Sequence, residues 1–318
     1  MMQKRRLGRT DIEITPIGLG TWQLSEGRGF SKYFWPVLSQ DVVDSIIKAA
    51  IDGGINWFDT AEVYGSGRSE QDLSAALVKA GIDNGEVIIA TKWWPVFRTA
   101  RSIGSTIDVR LKCLSPFPID LYQIHNSYSF ASIEAQMNAM ADLVEAGKIR
   151  AVGVSNFSAK LMWKAHAVLA RRGIPLASNQ IRYNILARGP ETNGVLETAK
   201  ELGITVICYS PLEFGLLTGK FHRDPDLLQS CPFARRKIMA KSIESSMPVI
   251  KVLEGIAEAH GATVSQVALS WLVTFSGEIV VAIPGASKPK HAEESAGAMK
   301  IALTSDEMER IDHISRVR

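Results

Sequence analysis

The sequence predicts a (β/α)8 barrel with an N-terminal β-hairpin as a plug. Eight short apolar runs begin near Ile17, Ile55, Val87, Ile119, Ile149, Leu176, Ile204 and Ile279, and all but the first are followed closely by helix-period stripes. A doubly wound sheet is the alternative. It would usually show fewer units and a glycine fingerprint after its first strand, but after Gly18 and Gly20 the third glycine is replaced by Gln23, and residues 26–36 read as loop. The whole chain, 1–318, is read as one domain, since barrels of this length are routinely single.

The elements follow in order. Residues from about 5 to 15 alternate around a Gly8-Arg9-Thr10-Asp11 turn signal and form the expected hairpin. Ile17 to Trp22 is the first barrel strand. Val42, Val43, Ile46, Ile47, Ala50 and Ile51 make a helical stripe stopped by Gly53-Gly54, and the strand from Ile55 ends at Asp59. A helix from near Ser69 precedes the apolar strand that ends at Lys92. A helix over about 103–114 leads to the strand that ends at His125, and Ile133, Met137, Met140, Leu143 and Val144 mark the next helix. Strand 149–154 runs into Ser155-Asn156, helix 159–171 follows, and 176–180 reads as a shorter, weaker strand. Val195, Leu196, Ala199 and Leu202 mark a helix before strand 204–209. Residues 213–247 show little periodicity and are expected to be a long functional loop after the seventh strand. Two helical stripes around Ile250 and Val267, the second capped by Thr263, precede the last strand, a helix over 292–298 and a C-terminal segment of about 300–318.

Composition excludes several classes. The chain is 46% hydrophobic and 22% charged, with no apolar run long enough to span a membrane, and its net charge of +3 is too small to argue for nucleic acid. Cys113, Cys208 and Cys231 are widely spaced, so neither a disulfide framework nor a metal site is expected. No secretory signal follows the basic start, and the expected location is cytoplasmic. Basic runs such as Arg235-Arg236-Lys237 read as solvated surface.

Strand ends supply Asp59, Lys92, His125, Asn156, Gln180 and Tyr209, and barrel enzymes gather their sites there. The period of two puts Ile88, Ala90 and Lys92 on one face and Leu121, Gln123 and His125 on another, so the terminal residues are expected to point inward. Singly, each has a bland reading: Asp59 as a helix cap, Lys92 on the rim, His125 as a core residue. Together with Tyr64 they suit proton donation to a carbonyl oxygen. Lys92 beside Tyr64 is expected to lower the phenol's pKa, Asp59 to keep the amine charged, and a neutral His125 to donate a hydrogen bond; the hydride must come from a cofactor.

These residues lie in motifs. Asp59-Thr60-Ala61-Glu62-Val63-Tyr64-Gly65, Thr91-Lys92 and Gln123-Ile124-His125-Asn126 resemble the signature segments of the aldo-keto reductase superfamily, and the likeness covers nearly the whole chain. The resemblance implies NADP-dependent reduction of an aldehyde or ketone, with Tyr64 as general acid, Lys92 and Asp59 as its tuning partners and His125 as orienter of the carbonyl. It further implies that Gly20, Thr21, Trp22, Asp59, Ser155, Asn156 and Gln180 surround the nicotinamide, with Tyr209 stacked on its ring. Ser210-Pro211-Leu212 and the run from Gly215 through Leu217 to Lys220 resemble the pyrophosphate-covering loop. That run also mimics a phosphate-binding loop of nucleotide hydrolases, but it is a residue short and lacks the hydroxyl residue after lysine. Gly285, Ser287, Lys288, His291, Glu294 and Ser295 resemble the adenosine grip. His291 stands where many members carry arginine for the 2′-phosphate, and Ser295 where asparagine is common. NADP is the first choice because Lys288 and a partly protonated His291 present positive charge; NAD is possible.

Trp22, Trp93, Trp94, Tyr128 and Phe34 or Trp35 are candidates for an aromatic substrate pocket, with Trp22, Tyr64, Trp93, His125 and Tyr128 as the expected substrate contacts. The expected partner is a small carbonyl compound, and the sequence is silent on oligomeric state. Two other classes compete: a cofactor-bound regulatory subunit of the channel-associated kind, and a Schiff-base lyase using Lys92.

Overall fold

The computed structural model describes residues 3–28 and 33–316. Strands β1 (Arg5–Arg6) and β2 (Glu13–Ile14) pair antiparallel as the hairpin. The wall consists of eight parallel strands in sequential order: β3 (Leu19–Gly20), β4 (Trp57–Asp59), β5 (Ile88–Trp93), β6 (Ile119–Ile124), β7 (Ile149–Ser155), β8 (Leu176–Arg182), β9 (Thr205–Tyr209) and β10 (Val280–Ala282). Parallel bridges from Ile17 to Ala282 and from Gly20 to Gly285 join the first wall strand to the last and close the cylinder. The fold is therefore the (β/α)8 barrel expected.

Strand parity divides the core in two. Phe58, Ile89, Trp93, Tyr122, Ile124, Val152 and Val206 point outward into the layer shared with the helices, whereas Trp57, Ala90, Leu121, Ala151, Ala177, Ile207 and Val281 point into the barrel. Leu7, Ile12 and Ile14 of the hairpin join the inner cluster and seal the end opposite the strand C-termini. The close fit at this plug explains Gly8: with φ of 59°, it lies so near the backbone of Ala177 that a Cβ would sit 2.5 Å from that residue's carbonyl oxygen.

The outer helices are α1 (Gln40–Asp52), α2 (Arg68–Lys79), α3 (Arg101–Leu114), α4 (Ile133–Glu145), α5 (Ala159–Ala170), α6 (Val195–Leu202), α7 (Lys220–Arg223), α8 (Phe233–Ala240), α9 (Ile243–Ala259), α10 (Val264–Phe275), α11 (Pro289–Gly297) and α12 (Ser305–Arg316). Thr263 caps α10 in a reciprocal capping box with Gln266. Two expectations need correction. Strand β8 is not short: it matches β7 at seven residues, because Ile181 and Arg182 extend its pairing with β9. The segment 213–247 is not irregular but a chain of short helical pieces: 3-10 turns at Glu213–Thr218 and Pro225–Leu228, helices α7 and α8, and the start of α9. Pieces of four to eight residues are too short to print a periodic stripe, and Pro225 stands at a first turn, where its missing N–H costs nothing.

Candidate active site

Asp59 ends β4 and the chain turns at once. Thr21 donates from its amide (2.9 Å) and its hydroxyl (3.0 Å) to the Asp59 carbonyl, and the Ser69 hydroxyl links Thr21 to Thr60 from the start of α2. The amide of Glu62 bonds the Lys92 carbonyl, and its carboxylate accepts from the Trp94 amide and from Arg98, fastening the turn to the end of β5. Three left-handed residues, Gly65, Ser66 and Gly67, then reverse the chain into α2. Tyr64 is thereby projected into the barrel mouth.

There it meets the residues of the next two strands. Lys92 is fully buried and donates to an Asp59 carboxylate oxygen, to the Thr60 carbonyl (2.8 Å) and to the Tyr64 hydroxyl (3.5 Å). Asp59, 1% exposed, accepts on its other oxygen from Gln123 (3.1 Å) and Gln180 (2.8 Å). The His125 ring stands edge-on to Tyr64 (centroids 5.6 Å apart) and to Trp94 (5.2 Å).

The protonation states follow from these surroundings. Burial works against the Lys92 ammonium, but Asp59 and Tyr64 outweigh it and hold its pKa above the ordinary lysine value. His125 is pushed well below the ordinary histidine value by burial and by the charge of Lys92, so the ring is neutral. Tyr64 departs from expectation. Removal from water raises its pKa, Lys92 opposes this, Asp59 reinforces it, and the net shift is upward. The phenol keeps its proton through neutral pH, the state a proton donor requires.

A cavity of about 900 Å³ extends from this cluster across the strand ends. Its wall includes Gly20, Thr21, Trp22, Asp59, Ser155, Asn156, Gln180 and Tyr209 at the barrel end, then Ser210, Pro211, Leu212, Gly215 and Lys220, and at the far end Gly285, Ser287, His291, Glu294 and Ser295. The Tyr209 hydroxyl donates to the Asn156 side chain (3.0 Å), which bonds Ser155 in turn. Past β9 the backbone is strained, with Ser210, Glu213 and Phe214 all at positive φ. Buried Glu213 holds it by pairing with Arg182 and accepting from Asn184 (2.7 Å). Pro211 and Leu212 are thus set along the groove.

Several expected residues fall elsewhere. Trp93 is no part of the cavity: Lys92 faces inward, so its neighbour faces out, fully buried against α3 with its indole bonded to Ser102 (3.1 Å); Trp94 takes the place on the wall. Tyr128 is 74% exposed outside the cavity lining, because its loop turns away after Asn126. Leu217 is buried in the outer core beneath its 3-10 turn. Lys288 precedes α11 on the exposed surface and reaches the groove only by its field. His291 is not partly protonated: burial, with Lys220, Lys288, Arg235 and Lys290 around it, lowers it to about 4.

The reading of Arg235 as solvated surface is also overturned. This residue of α8 lines the cavity, stacks on Trp35 (4.6 Å to the ring centroid) and donates to the Phe214 carbonyl (2.8 and 3.1 Å). The one sequence signal was its i, i+4 spacing from Met239, which is fully buried on the same helix. Aromatic residues complete the mouth: Phe214 stacks near Phe34 and Trp35, and Trp22 contacts Phe34, Trp35 and Tyr64.

The model of the Aldo/keto reductase family matches residues 16–316. The chain belongs to the aldo/keto reductase family. Among its relatives, the chloroplastic pyridoxal reductase of Arabidopsis thaliana is 30% identical over 99% of this chain and 86% of its own length, and an aldo-keto reductase of Strobilurus tenacellus is 34% identical over 96% and 89%. Among solved structures, a thermostable aldo-keto reductase in complex with the inhibitor epalrestat superposes with a TM-score of 0.77 at 32% identity, covering 98% of this chain and all of that one. A glycerol dehydrogenase from Gluconobacter oxydans gives 0.80 at 30%, covering 98% and 94%. As an aldo-keto reductase, the protein is an oxidoreductase of a family that uses nicotinamide cofactors. Lys92 fits this and not a lyase: an enclosed, charged amine is a poor nucleophile for Schiff-base chemistry. Among the described residues, no helix is long and apolar enough to cross a membrane.

Proposed function

We propose that this aldo-keto reductase converts an aldehyde or ketone to the alcohol with NADPH. The observation that carries the reading is the buried Asp59–Lys92 pair beneath Tyr64 and His125, at the inner end of a groove whose outer end is basic. Nicotinamide, when bound, supplies the hydride. Tyr64 delivers the proton to the carbonyl oxygen, Lys92 stabilises the phenolate left behind, and neutral His125 donates a hydrogen bond that orients the carbonyl. The groove fits a dinucleotide: Lys220 offers a cation to its pyrophosphate and Arg235 one to a 2′-phosphate, and Ser287, His291 and Ser295 line the end where an adenosine half would rest.

NADPH is favoured over NADH because Lys220, Arg235 and Lys288 place their charge around the neutral His291. Arg235→Ala is expected to raise the Kd for NADPH about tenfold or more, the loss of a charge-assisted hydrogen bond, and to affect NADH much less. Titration of cofactor fluorescence with both nucleotides measures it, and an equal loss for both would move Arg235 from the 2′-phosphate to the pyrophosphate.

The mouth, walled by Trp22, Trp35, Trp94 and Phe214, suits a flat or apolar carbonyl compound. Pyridoxal, from the name of the Arabidopsis relative, is a fitting first probe beside simple aromatic aldehydes. Loss of NADPH absorbance with any of these, in proportion to enzyme, supports the reading; no turnover across such a panel would favour a regulatory cofactor-binding role instead.

A further inference from the structure

We propose that Gln123 is a positioning residue for the catalytic cluster: from inside the barrel it holds the second carboxylate oxygen of Asp59, fixing the field at Tyr64 and leaving Gln180 free to serve the cofactor. The proposal rests on the reading above for its cofactor half only. Gln123 is fully buried and lies level with Lys92, Gly153 and Ser178 in the registers of β5 to β8. This level of the barrel interior is polar. Its amide nitrogen donates to Asp59 at 3.1 Å, and its oxygen accepts from the Ser178 hydroxyl at 3.4 Å. A carboxylate only accepts, so the amide is locked in this orientation.

The space for this arrangement is built in. A Cβ on Gly153 would lie 2.3 Å from the Ser178 hydroxyl and 2.9 Å from Gln123 Cγ, so the missing side chain opposite Gln123 is what admits it. An apolar residue at 123 would fill the barrel as well, since Ala90, Leu121, Ala151 and Ala177 form the apolar interior nearby. A polar amide there has a task beyond filling.

That task follows from the donors to Asp59. One oxygen belongs to Lys92; the other is shared by Gln123 and Gln180. Gln180 lines the cavity, whereas Gln123 does not. When the Gln180 amide turns to a bound nicotinamide, Gln123 alone keeps the second oxygen satisfied. Without it, the carboxylate is less compensated and exerts a stronger negative field on Tyr64, which otherwise faces Lys92 of β5, His125 just after β6 and Tyr209 of β9.

The test uses the full chain and Gln123→Met, which keeps the volume and removes the donor. Tyrosinate absorbance is titrated in the ligand-free protein, with Tyr64→Phe as the subtraction that isolates this phenol. Relative to the wild type, the Tyr64 transition is expected to move upward by about half a pH unit or more. An unmoved transition overturns the proposal. If Gln123→Met does not fold, Ser178→Ala, which loosens the amide from behind, is expected to move the transition in the same direction by less, and an unmoved one overturns it equally. Fluorescence titration is expected to show NADPH binding about tenfold weaker in Gln123→Met, because Gln180 is retained by Asp59; unchanged affinity overturns the cofactor half. A wild type that fails to bind NADPH would sink the proposed function and leave the tyrosinate result to decide the role of Gln123.

Discussion

Tyr64→Phe is expected to lower kcat for carbonyl reduction by about a hundredfold to ten-thousandfold, the range a positioned general acid contributes, while KM changes little. The substitution removes one oxygen and leaves the ring, which keeps its place against Trp22 (6.4 Å), His125 (5.6 Å) and the Lys92 ammonium (5.0 Å). The pH profile gives a second reading of the same residue. Reduction needs the phenol protonated, and its pKa is raised, so the rate should hold through neutral pH and fall only on the alkaline side of the ordinary tyrosine range. Alcohol oxidation needs the phenolate and should rise over the same interval. His125, neutral from well below its usual value, adds no acid limb near neutrality. Steady-state rates in both directions against pH, for wild type and Tyr64→Phe, check this. A variant that reduces carbonyls as fast as the wild type would remove Tyr64 from the chemistry.

The barrel was legible because its determinants are local. Apolar runs, glycine stops and helical stripes recur at short range, and the period of two already places Lys92 inside. The same rule, carried one residue further, turns Trp93 outward and gives the wall to Trp94. What stayed hidden depends on distant parts of the chain. Arg235 reaches the groove because a short helix folds back over Phe214, and near it in sequence its spacing from Met239 is the one hint of that. His291 is neutral because the folded groove buries it, and because Lys220 and Arg235 from distant segments join the neighbouring Lys288 and Lys290 around it. For Tyr64 the neighbours are legible and the sign is not: the strand ends of a barrel bring a lysine near a phenol, but the balance between its field and the lost water is a property of the folded site.

Lys92→Met should have the largest effect on stability, because it leaves the Asp59 carboxylate enclosed without its cation. Gln123 and Gln180 still donate to one oxygen, but two neutral amides do not replace an ammonium at 1% exposure. Breaking a buried pair from one side costs about 3–5 kcal/mol, so the variant is expected to unfold at markedly lower denaturant. The double variant Asp59→Asn with Lys92→Met removes both charges and should recover a substantial part of that loss. Activity should not recover with it, since the phenolate formed at Tyr64 has no ammonium beside it in either protein. Denaturant unfolding of the wild type, both single variants and the double variant closes the cycle and isolates the coupling between the two charges. If Lys92→Met unfolds at the wild-type midpoint, the pair is not ionised as described; if the double variant regains turnover along with stability, Lys92 acts as scaffold alone and the stabilisation of the Tyr64 phenolate must come from another group.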